Sequence, residues 1–245
     1  MIHEARAEFV NLNDATRGYL ALPQRKAAAP AVLVYMEAYG INAYVQSECR
    51  RLAAHGFVAL APDFYHGETL LYNDRTAVIA RLEHLTDEGL LNDVRGAIVY
   101  LDQQPNVLHE QYGIVGFCMG GRLAFLTAAE FPKHIGAAVS FYGGGIAPDQ
   151  PRFFPSLEHR VPDVQAPLML FYGAYDESIT PNEHARLVCA LSEHKKAYTI
   201  TVYPGAGHAF ASGDREQYHK ESADDAWART LAFFDSHLYT LPDDH

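Results

Sequence analysis

Cys118 lies in the run YGIVGFCMGG, with Gly116 and Gly120 two residues away on either side and an apolar stretch leading up to it. G-x-C-x-G is the thiol form of the nucleophile elbow, in which small flanking residues let a strand and a helix approach closely at a sharp turn. Such a turn lifts the sulfur out of the sheet edge and aims the Met119 N–H, at the helix N-terminus, toward a forming oxyanion. A free thiol, with a pKa of about 8.5, is mostly protonated at neutral pH and needs an adjacent base. His208, in PGAGHAF, is placed to be that base. Asp176, in GAYDESITP, would hold the His208 ring in one tautomer and stabilise the imidazolium. Singly, these residues could be a buried cysteine, a helix-capping aspartate and a solvated loop histidine. Together, in the order nucleophile, acid, histidine, they read as the triad of an α/β-hydrolase.

The elements that must position them follow from hydrophobic pattern. Ala31 to Met36, Phe57 to Ala61, Gly113 to Phe117, Ile135 to Tyr142, Leu168 to Tyr172 and Thr199 to Tyr203 are short apolar, β-rich runs, as strands buried on both faces of a parallel sheet should be. Ala7 to Leu12 and Gly18 to Leu22 form an N-terminal hairpin, followed by a loop at Lys26 to Pro30. Helices are expected after the Asn42 cap, over Arg75 to Leu85, Leu90 to Leu101, Met119 to Phe131, Asn182 to Ser192 and Ala223 to Leu238, with a break at Asp87 to Gly89. The expected fold is α/β: about eight strands, mostly parallel, with helices on both faces and an antiparallel N-terminal edge, as one domain over residues 1–245. In such sheets, function sits at the carboxyl ends of the strands.

A formal net charge of −11 disfavours nucleic acid or an anionic membrane as partner, and no apolar run is long enough to span a bilayer. The charged N-terminus MIHEARAEFV lacks the apolar core of a signal peptide, and three widely spaced cysteines suit a reducing compartment, so a cytoplasmic protein is expected. The thirteen histidines show no HExxH or H-x-H spacing, and neither a metal nor a cofactor is expected.

Cys118 in GFCMGG, Asp176 in GAYDESITP, His208 in GAGHAF and Glu37 in MEAYG together resemble the dienelactone hydrolase family, from about Arg17 to Leu238. The resemblance implies an eight-stranded α/β-hydrolase domain, a metal-free Cys-His-Asp triad, and opening of enol-lactones through an acyl-thioester. It further implies that Glu37 pairs with the resting thiol, and that the Ala38 N–H joins that of Met119 as an oxyanion donor. Tyr39, Tyr142 and Phe210 match aromatic pocket positions. Of two arginines that hold a substrate carboxylate in the family's archetype, one matches Arg75; the other, four residues after the histidine, falls on Ser212. Loss of a bidentate guanidinium there would weaken selectivity for a dianionic product.

The expectation is a cysteine-dependent hydrolase of small-molecule ester or lactone substrates, a monomer or weak homo-oligomer. The rival readings are a non-catalytic binding protein on the same scaffold and an acyltransferase.

Overall fold

A computed structural model describes residues 6–25 and 27–239. Lys26 of the expected loop, and residues 1–5 and 240–245 of the expected domain, lie outside the described residues. Eight strands form one sheet in the order β1-β2-β4-β3-β5-β6-β7-β8. They are β1 (Arg6–Asn11), β2 (Arg17–Leu22), β3 (Ala31–Tyr35), β4 (Val58–Pro62), β5 (Tyr112–Phe117), β6 (Ile135–Phe141), β7 (Leu168–Gly173) and β8 (Tyr198–Tyr203). β1 pairs antiparallel with β2, and β2 with β4, while β3 to β8 run parallel. The sheet is the expected one, including its antiparallel edge.

Six α-helices cover it: α1 (Ala43–Ala54), α2 (Arg75–His84), α3 (Asp87–Asp102), α4 (Met119–Glu130), α5 (Pro181–Glu193) and α6 (Lys220–Leu238). Every residue of β3, β4, β5 and β6 is buried, which explains why their sequences are continuously apolar. Of the α6 stripe that the helical spacing predicts, Trp227, Thr230, Phe234 and Leu238 are buried and Leu231 is half-buried. No helix among the described residues is long and apolar enough to cross a membrane.

Two helices start three residues earlier than expected: α6 at Lys220, where the His219 side chain caps it, and α3 at Asp87. Asp87–Gly89, expected as a break, is the first turn of α3: the Thr86 hydroxyl accepts from the Gly89 N–H, and Asp87 and Glu88 lie at the positive end of the helix. Asp87 has a further task. Its carboxylate accepts two bonds, of 2.6 and 2.9 Å, from the guanidinium of Arg122, a buried cation on α4. A charge-assisted fork of this kind ties α3 to the helix that follows Cys118.

The elbow depends on two close approaches. A Cβ on Gly116 would lie 1.9 Å from the Gly120 carbonyl oxygen, and one on Gly120 would lie 2.5 Å from that of Tyr35. Bare backbone therefore lets β5, α4 and the end of β3 meet in one place. Gly116→Ala is expected to destabilise the fold by at least about 2 kcal/mol, read from the urea midpoint, because the blocking atoms are backbone and cannot rotate away. An unchanged midpoint would show that the elbow tolerates separation.

Candidate active site

Cys118 sits between β5 and α4 at φ 54° and ψ −116°, a conformation that side chains rarely adopt. Its N–H donates to the Phe141 carbonyl at 3.0 Å, and its own carbonyl accepts from the Gly121 and Arg122 N–H groups. Pinned on both sides, the residue presents its sulfur above the carboxyl edge of the sheet.

Asp176 and His208 come from the loops after β7 and β8. Gly173, closing β7, packs so tightly that a Cβ would lie 2.4 Å from the Ala206 carbonyl oxygen, and the Tyr175 N–H donates to that same oxygen at 2.8 Å. The acid loop and the histidine loop are thus joined through backbone. The Asp176 side chain is 0% exposed; it accepts from the Ser178 N–H at 2.8 Å and from His208 Nδ1 at 2.7 Å. With Nδ1 held by the carboxylate, His208 Nε2 faces the Cys118 Sγ at 3.2 Å. Burial alone would lower the pKa of His208, but the Cys118 sulfur and the Asp176 carboxylate outweigh it and hold the imidazole protonated well above its ordinary 6.5. A raised folded-state pKa means that the stabilisation this proton brings is complete below the unfolded value and is lost as pH rises through the folded one.

Glu37 follows β3 and is 1% exposed. It makes no hydrogen bond to Cys118, whose sulfur faces His208 instead, and its buried carboxylate interacts with the Tyr142 hydroxyl without a well-formed hydrogen bond. Burial raises its pKa, with Arg215, His208 and Tyr142 pulling it back down and Asp214 adding to the rise. Ala38, next in sequence, donates no backbone hydrogen bond among the described residues, and Met119 opens α4, where N–H groups lack intrahelical acceptors.

Arg215 was not visible as a site residue in the sequence. Its guanidinium lies 3.8 Å from Glu37 and 5.3 Å from each ring centroid of Tyr39 and Tyr72. Ser212, where an arginine was sought, is fully buried and donates to Asp214 at 3.0 Å. Asp214 also accepts from the Tyr72 hydroxyl, and Tyr72 in turn accepts from the Asn42 side chain that caps α1. This chain of bonds folds the loop so that the guanidinium arrives three residues later than the alignment by counting placed it. The position counted from the histidine is thus a serine, and a cation, Arg215, stands at the chamber wall from three residues further on.

The sulfur and His208 open into a cavity of about 280 Å³ whose far wall carries Phe153, Phe154, Ile179 and Arg152. A second chamber of about 330 Å³, lined by Tyr39, Tyr72, Arg75 and Arg215, shares Leu82, Arg152 and Phe153 with the first. Arg75 and Tyr39 thus stand at a cavity wall. Tyr142 and Phe210 do not: both are fully buried, Tyr142 behind His208 at 5.2 Å between ring centroids and Phe210 packed on Phe141 and Tyr203. Arg152 and Phe153 were missed because the 148–157 segment has no regular element or motif to mark it. No group of metal-ligating side chains occurs among the described residues.

The electrostatics of His208 generate a prediction. In Cys118→Ala the largest influence raising its pKa is gone while burial remains, so the His208 imidazole resonance should titrate at clearly lower pH than in the wild type. An unchanged NMR titration would mean that sulfur and ring do not interact.

Comparison with known proteins places this geometry in company. The model of the dienelactone hydrolase family matches residues 16–238. A Yersinia pestis protein assigned as a carboxymethylenebutenolidase is 34% identical over 242 residues, covering 96% of this chain and 89% of the relative. A Bradyrhizobium protein assigned as a 2-oxo-3-(5-oxofuran-2-ylidene)propanoate lactonase is 36% identical over 233 residues, 94% of this chain and 93% of its own. Among solved structures, one from Klebsiella pneumoniae assigned as a dienelactone hydrolase superposes with a TM-score of 0.88 at 30% identity, covering 96% of this chain and all of that one.

Proposed function

The chain belongs to the dienelactone hydrolase family, and on that footing we propose that it hydrolyses carboxylic ester or enol-lactone bonds through an acyl-thioester on Cys118. The observation that carries the reading is His208 bridging Asp176 at 2.7 Å and Cys118 at 3.2 Å at the floor of a cavity. No second arrangement of nucleophile, base and acid competes with it among the described residues.

The geometry supports the following steps. His208 takes the proton of Cys118, leaving a thiolate that attacks the acyl carbon. The oxyanion meets the N–H groups of Ala38 and Met119, fixed donors that need no reorganisation. The His208 imidazolium, held by Asp176, donates its proton to the leaving oxygen. The neutral ring then takes a proton from water, the hydroxide adds to the thioester, and the thiolate departs to pair again with the imidazolium. An enolate leaving group suits this nucleophile because it departs without strong acid assistance.

The substrate side is read from charge. Arg215, Arg75 and Arg152 border the two connected chambers, so the acyl or leaving portion should carry a carboxylate. A carboxylate there would compete with Glu37 for Arg215. Three free and separate cysteines, Cys49, Cys118 and Cys189, accord with a cytoplasmic protein.

Hydrolysis of cis-dienelactone, trans-dienelactone and p-nitrophenyl acetate by wild type and Cys118→Ala tests the reaction. Turnover of a dienelactone that is lost in the variant is expected; a variant as active as wild type, or no turnover of any of the three, would reject it. Arg215→Ala should lower kcat/KM for a carboxylate-bearing lactone by about 10- to 100-fold while leaving p-nitrophenyl acetate within a few fold, since a lost charge-assisted contact acts only on the charged substrate. Equal losses on both would deny Arg215 a recognition role.

A further inference from the structure

Between Glu37 and the inward face of α1, six buried polar atoms lack a well-formed hydrogen bond among the described residues: both oxygens of Glu37, the hydroxyls of Tyr142 and Tyr44, Oε2 of Glu48 and Nε1 of Trp227. Buried polar atoms normally find partners, and a cluster that does not calls for an explanation. These atoms are neighbours. Tyr44 and Tyr142 both pack against Phe117, at 5.3 and 6.3 Å between ring centroids. Tyr44 and Glu48 are four residues apart on α1 and so share its inward face. Glu48 and Tyr44, with Arg51, Asp214 and Trp227, then line a separate cavity of about 290 Å³ that opens to solvent.

We propose that Glu37, Tyr142, Tyr44 and Glu48 form a proton relay that carries a proton from the active site to this second cavity. The inference rests on the hydrolytic reading above. Hydrolysis of an ester or lactone yields a carboxylic acid, which ionises near neutral pH, so each turnover releases one proton beside Glu37. The chambers in front are then filled by product. Glu37 accepts the acid's proton; Glu37 donates to the Tyr142 oxygen as Tyr142 passes its own proton to Tyr44 and Tyr44 passes its own to the Glu48 carboxylate. Glu48 releases it to water, and the hydroxyls rotate back. No atom is gained or lost along the chain, and no redox partner is needed. Tyr142 interacts with both Glu37 and Tyr44 through its hydroxyl, and hydroxyl rotation or a bridging water completes the step to Glu48.

The charges facing the relay suit the task. Burial raises the Glu37 pKa against Arg215 and His208, as described. Burial pushes Glu48 up to about 7, with Arg51 pulling it down and Asp214 raising it. Glu48 therefore both takes and releases a proton near neutral pH. The Arg51 Nε lies 2.9 Å from Glu48, off the axis of a hydrogen bond, and its guanidinium stacks 4.7 Å over Trp227 of α6. Tyr218 and Asp224 complete the polar groups at the exit. A purely structural Glu48 would need only its ion pair with Arg51, and would leave the line of hydroxyls from Glu37 through Tyr142 to Tyr44 without a task.

The test is steady-state hydrolysis of an activated ester or lactone in dilute buffer by wild type, Glu48→Gln, Tyr44→Phe and the double variant. Each single variant should lose about fivefold or more in kcat, with the burst of Cys118 acylation unchanged, the double variant no worse than either, and activity restored by a high concentration of a small base such as imidazole. Glu48→Asp should retain most of kcat. Equal kcat in wild type and both single variants in dilute buffer, or losses that imidazole does not restore, would overturn the relay. Tyr44→Phe removes one hydroxyl and keeps the ring that packs on Phe117, so it decides the matter even if Glu48→Gln does not fold. Cys118→Ala, run alongside, separates the two failures: if that variant keeps full activity, the hydrolytic reading falls, and if only it is inactive, the relay alone falls.

Discussion

The molecule depends on one strained residue held where three pieces of backbone converge. Cys118 adopts φ 54° only because Gly116, Gly120 and the end of β3 close on one another without side chains between them. A non-glycine residue in such a conformation costs on the order of 1–3 kcal/mol, which the surrounding structure must over-determine. It does so with the fully buried β5 and with hydrogen bonds to both the N–H and the carbonyl of Cys118. The same convergence brings the start of α4 against Tyr35 and Met36, next to Glu37 in the chain, so the nucleophile, its two backbone N–H neighbours and the buried glutamate share one origin.

Around this point the charge distribution runs against the protein's overall character. The chain has a formal net charge of −11, yet the chambers in front of the sulfur are bordered by Arg75, Arg152 and Arg215. Outside their walls lie Glu37 and Glu48, both with pKa values raised by burial. The exception to this division is Glu183, which lines the first chamber but accepts from the Gly145 and Ile146 N–H groups. Arg215 stands between the two sides, stacked on Tyr39 and Tyr72 and facing Glu37.

The parts of this site that rest on local rules were legible in the sequence. Glycines two residues either side of a cysteine state the elbow directly, and buried parallel strands announce themselves as apolar runs whose following loops must carry Asp176 and His208. The parts set by loop folding were not. Between His208 and Lys220 the chain has a single cation, Arg215, and that was the available signal. Counting four residues from the histidine led to Ser212 because nothing local says that Ser212 turns inward to bind Asp214. Tyr142 and Phe210 had the right type for a pocket wall, but burial is decided by the neighbours that α6 and β8 bring, which no spacing encodes. The start of α3 was missed for the opposite reason: Gly89 looks like a breaker, while Thr86 caps the helix across it.

The most direct test of the account is mass spectrometry of the enzyme quenched in acid during turnover of p-nitrophenyl acetate. The account predicts an acetyl group on the peptide carrying Cys118, labile to hydroxylamine at neutral pH as a thioester is, and accumulating further in His208→Ala if that variant is acylated at all. An acetyl group on another residue, or hydrolysis with none on Cys118 under conditions that trap it, would contradict the thiol as nucleophile.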